Sequence, residues 1–202
     1  QLSGGGCEHM GNFPTFPVKG KLKMSPDNIL NYRINVSEEK GHAGYYEAMV
    51  QEDIKAKLTV TERTGMASYE YPADQQYGTI IIGGGISATP IEQAAIVITA
   101  PNKCEGYAEG GNFCGLRTPY KVYFVAEFDT DALESGTWKR NELKPNTTFA
   151  EGEYSGVYFT FDVNKKKNIQ YKIGVSYVSV ENARENLKAE NTGWDFLQIQ
   201  NQ

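Results

Sequence analysis

Tyr120-Lys121-Val122-Tyr123-Phe124-Val125-Ala126-Glu127-Phe128-Asp129 puts Val122, Phe124, Ala126 and Phe128 at every second position. Side chains on a strand alternate between its faces, so this stretch reads as a strand with one face in a core. Three other stretches repeat the pattern. Residues 53–63 place Ile54, Ala56, Leu58 and Val60 on one face, 156–163 place Val157, Phe159, Phe161 and Val163, and 169–178 place Ile169, Tyr171, Ile173, Val175 and Tyr177. Weaker alternation marks 18–24, 45–50, 67–71, 79–82 and 94–99. Turn signals separate these segments, at Pro26-Asp27-Asn28, Lys40-Gly41, Gly83-Gly84-Gly85, Pro101-Asn102 and Gly110-Gly111-Asn112. About ten short strands with almost no helix predict an all-β fold, an antiparallel β-sandwich. Lys165-Lys166-Lys167, between two strong strands, reads as a solvated hairpin turn.

One helix is predicted, over 180–190. Ser179 can cap it, and Val180, Ala183 and Leu187 form one stripe. Glu181/Arg184 and Glu185/Lys188 stand three apart and can pair along it. Asn191-Thr192-Gly193 stops it, and Trp194-Asp195-Phe196-Leu197 begins something apolar that needs a surface to dock on.

The chain has 202 residues, 40% hydrophobic and 22% charged, which suits one globular β-rich domain. Its net charge of −5 gives no field to attract phosphate backbones, so nucleic acid is a poor partner, as is an anionic membrane surface. No apolar run approaches the roughly 20 residues of a membrane span. Cys7, Cys104 and Cys114 are an odd number, which excludes a disulfide framework. One pair plus a free thiol, or three buried thiols, fit equally. The opening at Gln1, without a Met, looks like a cut inside a longer protein.

Chemical motifs are sparse. Gly4-Gly5-Gly6 and Gly83-Gly84-Gly85 lack the following Lys-Ser/Thr pair and helix of a phosphate loop, so tight turns or close backbone approach to a ligand explain them better. Two histidines, His9 and His42, and three scattered cysteines do not make a zinc spacing. Nor does any spacing pair a cysteine with a histidine base. Glu105, Glu109, Glu127 and Asp129 flank the 110–114 loop, and glycoside hydrolysis uses two carboxyl groups across a sugar. Surface solvation explains carboxylates in an acidic chain more simply. A Tyr-rich sandwich is also suited to stacking on sugars.

An ordered set of motifs resembles glycoside hydrolase family 92, the calcium-dependent exo-acting α-mannosidases. It begins with Leu2-Ser3-Gly4-Gly5-Gly6-Cys7 and Gly11-Asn12-Phe13-Pro14, and continues through Phe16-Pro17-Val18-Lys19-Gly20 and Gly44-Tyr45-Tyr46. Leu58-Thr59-Val60-Thr61-Glu62-Arg63-Thr64-Gly65-Met66, Glu105-Gly106-Tyr107, Phe113-Cys114 and the strand from Tyr120 come next, then Gly136-Thr137-Trp138. The last are Gly174-Val175-Ser176-Tyr177-Val178-Ser179-Val180-Glu181-Asn182-Ala183 and Gly193-Trp194-Asp195-Phe196. Where Asn12 stands, the family often has an acidic residue.

The resemblance implies an N-terminal β-sandwich, here 1–178, and a helix and linker, 179–202, leading to an (α/α)6 catalytic barrel absent from this chain. That barrel would carry the general acid, the general base and the Ca2+ ligands of an inverting hydrolysis of terminal α-mannosides. The implied partners are mannose-containing glycans and the enzyme's own barrel. The implied location is the periplasm or surface of a bacterium. Catalytic and metal residues are expected to be absent from this chain. The expected contribution to substrate binding comes from two glycine-flanked motifs, through Ser3, Gly4, Gly6 and Cys7 and through Asn112, Phe113 and Cys114. Phe113 is expected on or near the terminal mannose. A competing reading is a stand-alone carbohydrate-binding module or adhesin. Without its flanks the chain is expected to self-associate, through an open sheet edge and an apolar patch near Trp194, Phe196 and Leu197.

Overall fold

The structure, a computed structural model, describes residues 11–27, 35–87, 90–113 and 116–202, with the backbone alone at 112, 113, 116 and 117. Fourteen strands, numbered in chain order, form two antiparallel sheets among these residues. The smaller sheet runs β1 (Thr15–Lys19), β6 (Tyr77–Gly83), β13 (Ser155–Asp162), β10 (Glu134–Lys139), β11 (Glu142–Pro145). The larger runs β12 (Phe149–Glu151), β7 (Ile91–Ala100), β8 (Lys103–Phe113), β9 (Leu116–Phe128), β14 (Asn168–Ser176), β5 (Thr64–Glu70), β4 (Ile54–Val60), β3 (Tyr45–Val50), β2 (Val36–His42). This is the expected all-β sandwich.

The alternating residues meet between the sheets. Phe124 and Phe128 of β9, Tyr171 of β14, Ile80 and Ile82 of β6, and Phe159 and Phe161 of β13 share one core. The Phe128 ring lies 4.9 Å from Phe159, 5.1 Å from Phe161 and 5.3 Å from Tyr171, so aromatic contact joins the two layers. The β4 stripe departs from expectation at its far end. Ile54 and Ala56 are buried, but Leu58 and Val60 are 36% and 59% exposed. The nine-stranded sheet outruns its five-stranded cover there.

Two helices come after the sandwich: α1 (Val180–Glu190) and a short α2 (Phe196–Gln200). Ser179 caps α1 by accepting from the Asn182 N–H, as expected. Ala183, Leu187 and Val180 pack on Val125, on the outer face of the larger sheet. Gly174 permits this approach, since a Cβ there would lie 2.5 Å from the Ala183 carbonyl oxygen. Arg184 turns from the predicted pairing with Glu181 to an ion pair with Glu105 on β8. The apolar segment after the stop becomes α2. Asp195 caps it, Ile199 is buried, and the Phe196 ring stands edge-on to Tyr45 at 6.3 Å. Trp194 and Phe196 are therefore half-covered, and of the expected apolar patch only Leu197, 67% exposed, stands fully open. No helix among the described residues is long and apolar enough to cross a membrane.

Candidate functional site

Ser3, Gly4, Gly6 and Cys7 lie outside the described residues, as does Cys114. The backbone at Asn112 and Phe113 ends β8 and pairs with Arg117 and Leu116 of β9. The described residues that flank both motifs meet at one corner of the larger sheet. Tyr120, opposite Gly110 in the β8–β9 ladder, donates through its hydroxyl to Asn12 Oδ1 at 2.9 Å. The Asn12 amide nitrogen is enclosed and has no hydrogen-bond partner in the structure.

The chain enters this corner through a constrained bend. Gly11 and Phe13 both have positive φ, 79° and 56°. Phe13 is nevertheless buried, with its ring 4.2 Å from Phe124. Left-handed backbone at a non-glycine residue is unfavourable, so burial of the ring holds it there. The Pro14 carbonyl then accepts from the Gly83 N–H at 2.9 Å, tying the bend to the smaller sheet.

Gly110-Gly111-Asn112, expected as a turn between strands, lies within β8 as an irregularity. The ladder shifts register between Gly110 and Asn112, and Gly111 has φ +135°. Between these pairs β8 has one residue, Gly111, and β9 has two, Thr118 and Pro119, so the extra residue belongs to β9, which bends there just before the hairpin tip. The hairpin tip and the 11–13 bend therefore share one corner.

The other sequence candidates resolve into structural roles. Gly84 and Gly85 donate their N–H groups to the Ser155 carbonyl at 2.8 and 3.0 Å, so the backbone they approach is the protein's own. Cys104 is fully buried, and burial pushes its thiol far above the ordinary range, so it is no nucleophile. The four carboxylates all hold cations: Glu105 pairs with Arg184, Glu109 with Lys121 at 3.7 Å, Glu127 with Lys103 at 3.0 Å and Asp129 with Lys166 at 2.7 Å. No group of three or more His, Cys, Asp or Glu side chains placed to hold a metal ion lies among the described residues. Sequence reasoning missed Tyr120 and Asn12 as partners. No local pattern signals the pair, since its members stand 108 residues apart in the chain.

Two facing antiparallel sheets, a bulged hairpin end at one corner and a helical tail across the outer face define a β-sandwich domain. The glycosyl hydrolase family 92 N-terminal domain matches residues 1–176, and the chain belongs to that family. An uncharacterized secreted glycosidase of the fungus Arthroderma benhamiae is 22% identical over 96% of this chain and 28% of its own length. A family GH92 α-mannosidase of Bacteroides thetaiotaomicron superposes with a TM-score of 0.82 at 23% identity, over 96% of this chain and 28% of that one. A family GH92 inverting mannosidase of the same organism gives 0.78 at 22% identity, over 93% and 24%. The chain thus spans less than a third of the length of these relatives.

Proposed function

We propose that this chain is the non-catalytic N-terminal domain of an inverting, exo-acting α-mannosidase that removes terminal α-mannosides from glycans. In that enzyme a following (α/α)6 domain supplies the acid, the base and the calcium site. One carboxylate activates water on the face opposite the leaving group while a carboxylic acid protonates the leaving oxygen. The share of this chain is to line the sugar pocket with 3–7 and 112–114 and to seat the catalytic domain. The observation that carries the reading is the match of residues 1–176 to the family 92 N-terminal domain, and the Tyr120–Asn12 hydrogen bond beside the β8–β9 tip is what motivates the pocket assignment. The inverting mannosidase among its structural neighbours supports the reaction class, and the secreted fungal relative supports export.

The test is Phe113→Ala in the full-length protein, assayed with calcium on a terminal α-mannoside. A loss of about tenfold or more in kcat/KM is expected if the ring packs on the sugar. Unchanged kcat and KM would sink the pocket assignment. Calorimetry of this chain with mannobiose should give no heat. Millimolar or tighter binding would instead favour a stand-alone binding module.

A further inference from the structure

The outer face of the larger sheet buries an amine. Lys172, on β14, has a side chain only 8% exposed. It stands opposite Glu127 in the ladder with β9, yet their closest approach is 3.9 Å, and Lys103 holds the same carboxylate more closely. Its nearer contacts are with the chain just beyond α1. The ammonium donates to the Asn191 carbonyl at 3.1 Å and lies 4.5 Å from the centre of the Trp194 ring. Arg184, Lys188, Leu187 and Thr192 complete the walls of a cleft of about 390 Å³ beside it.

Burying a charge is expensive, neighbouring Lys103 adds repulsion, and Glu127 offsets the combined cost only in part. A methionine would fill similar space without that penalty. The charge therefore needs another reason, and its contacts supply one. Asn191 is fully buried, and neither side-chain polar atom finds a hydrogen-bond partner. Its backbone is tied instead, through its N–H to Leu187 and its carbonyl to Lys172. The next element, α2, has five residues, too few to persist without an anchor. Lys172 grips the two ends of the short bend that joins the helices.

We propose that Lys172 is a positioning residue: it fixes the path by which the chain leaves α1, and through that path the seating of the catalytic domain. The seating half of this inference rests on the proposed function. The pinning half concerns this chain's own residues.

The experiment compares Lys172→Met and Lys172→Arg in the full-length protein by hydrogen exchange, thermal unfolding and kinetics on a terminal α-mannoside. Arginine keeps the charge, the donors and the stacking on Trp194, so it should restore most of what methionine loses. The methionine variant should exchange faster over 191–200 with the strands unchanged. Its melting midpoint should move by no more than about 3 °C. Its kcat/KM should fall about tenfold or more, since small misplacements of assembled sites are costly. Unchanged exchange over 191–200 overturns the pinning. Faster exchange with unchanged kinetics overturns the seating, as does an activity loss that merely tracks a lower midpoint. If the wild-type protein hydrolyses no α-mannoside, the proposed function fails and the seating falls with it. The exchange data still decide the pinning.

Discussion

A Cβ at Gly111 would sit 2.0 Å from the Thr118 carbonyl oxygen, on a backbone already at φ +135°. Neither atom is the movable end of a side chain, so the β8–β9 ladder itself would have to shift. Gly111→Ala should cost about 1–3 kcal/mol, read as a lower urea or thermal midpoint of this chain. An unchanged midpoint would mean that the tip relaxes freely and that the close approach of Gly111 to Thr118 does not hold it. The glycine pair was visible in the sequence, but its meaning was not. Gly-Gly-Asn is a turn signal by composition, and only the pairing of Asn112 with Arg117 shows that the strand continues through it. The same limit hid the Tyr120–Asn12 bond, whose partners are 108 residues apart in the chain.

The α1 helix was legible end to end because cap, stripe and stop are all local signals, and residues 180–190 agree with them. Strand β8 was not, since Cys104, Gly106, Ala108 and Gly110 on its inward face are small and leave a weak apolar pattern. Strand β2 escaped for another reason: all seven of its residues are exposed, so no face had to be apolar. Non-local contacts then decide how firmly α1 sits. Glu190 accepts from the Thr61 hydroxyl at 2.6 Å, the Arg63 N–H at 2.9 Å and the Arg63 guanidinium. Burial pulls its carboxyl upward, but these donors outweigh it and hold the group below its ordinary 4.5. A depressed carboxylate stabilises the fold above the unfolded value and loses that contribution as pH falls through the folded one. The end of α1 should therefore loosen on acidification below about pH 4.5, seen as faster amide exchange near Glu190. Glu190→Gln should abolish this step while weakening the helix end at neutral pH. A wild-type profile flat from pH 6 to pH 3 would overturn the assignment.

At the scale of the molecule, every sheet edge carries a guard. Edge strand β1 contains Pro17, β11 ends in Pro145 and has four residues, and β12 has three. The long edge β2 carries Glu38, Glu39 and Lys40, with an irregularity between Ser37 and Lys40 and a positive φ of 53° at Glu38. Short length, proline, charge and bulging each oppose edge-to-edge pairing. The open-edge route to self-association is thus poorly served among the described residues. The apolar route is better served. The ladder registers place Val60 beside Gly65, and Gly65 beside Ile173, at the same end of the sheet where β14 leads to Tyr177 and Val178. Val60, Tyr177 and Val178 are 59%, 72% and 73% exposed, and Leu58 and Leu197 add to the open apolar surface. We therefore expect this chain to associate weakly in a concentration-dependent way, with no gain of β-sheet signal. Val60→Lys together with Val178→Lys should shift it toward monomer in light scattering, whereas a charge added to β2 should change nothing. A clean monomer at high concentration would mean that these side chains are adequately solvated. Association unaffected by the two lysines but abolished by a proline in β2 would return the sheet edge as its cause.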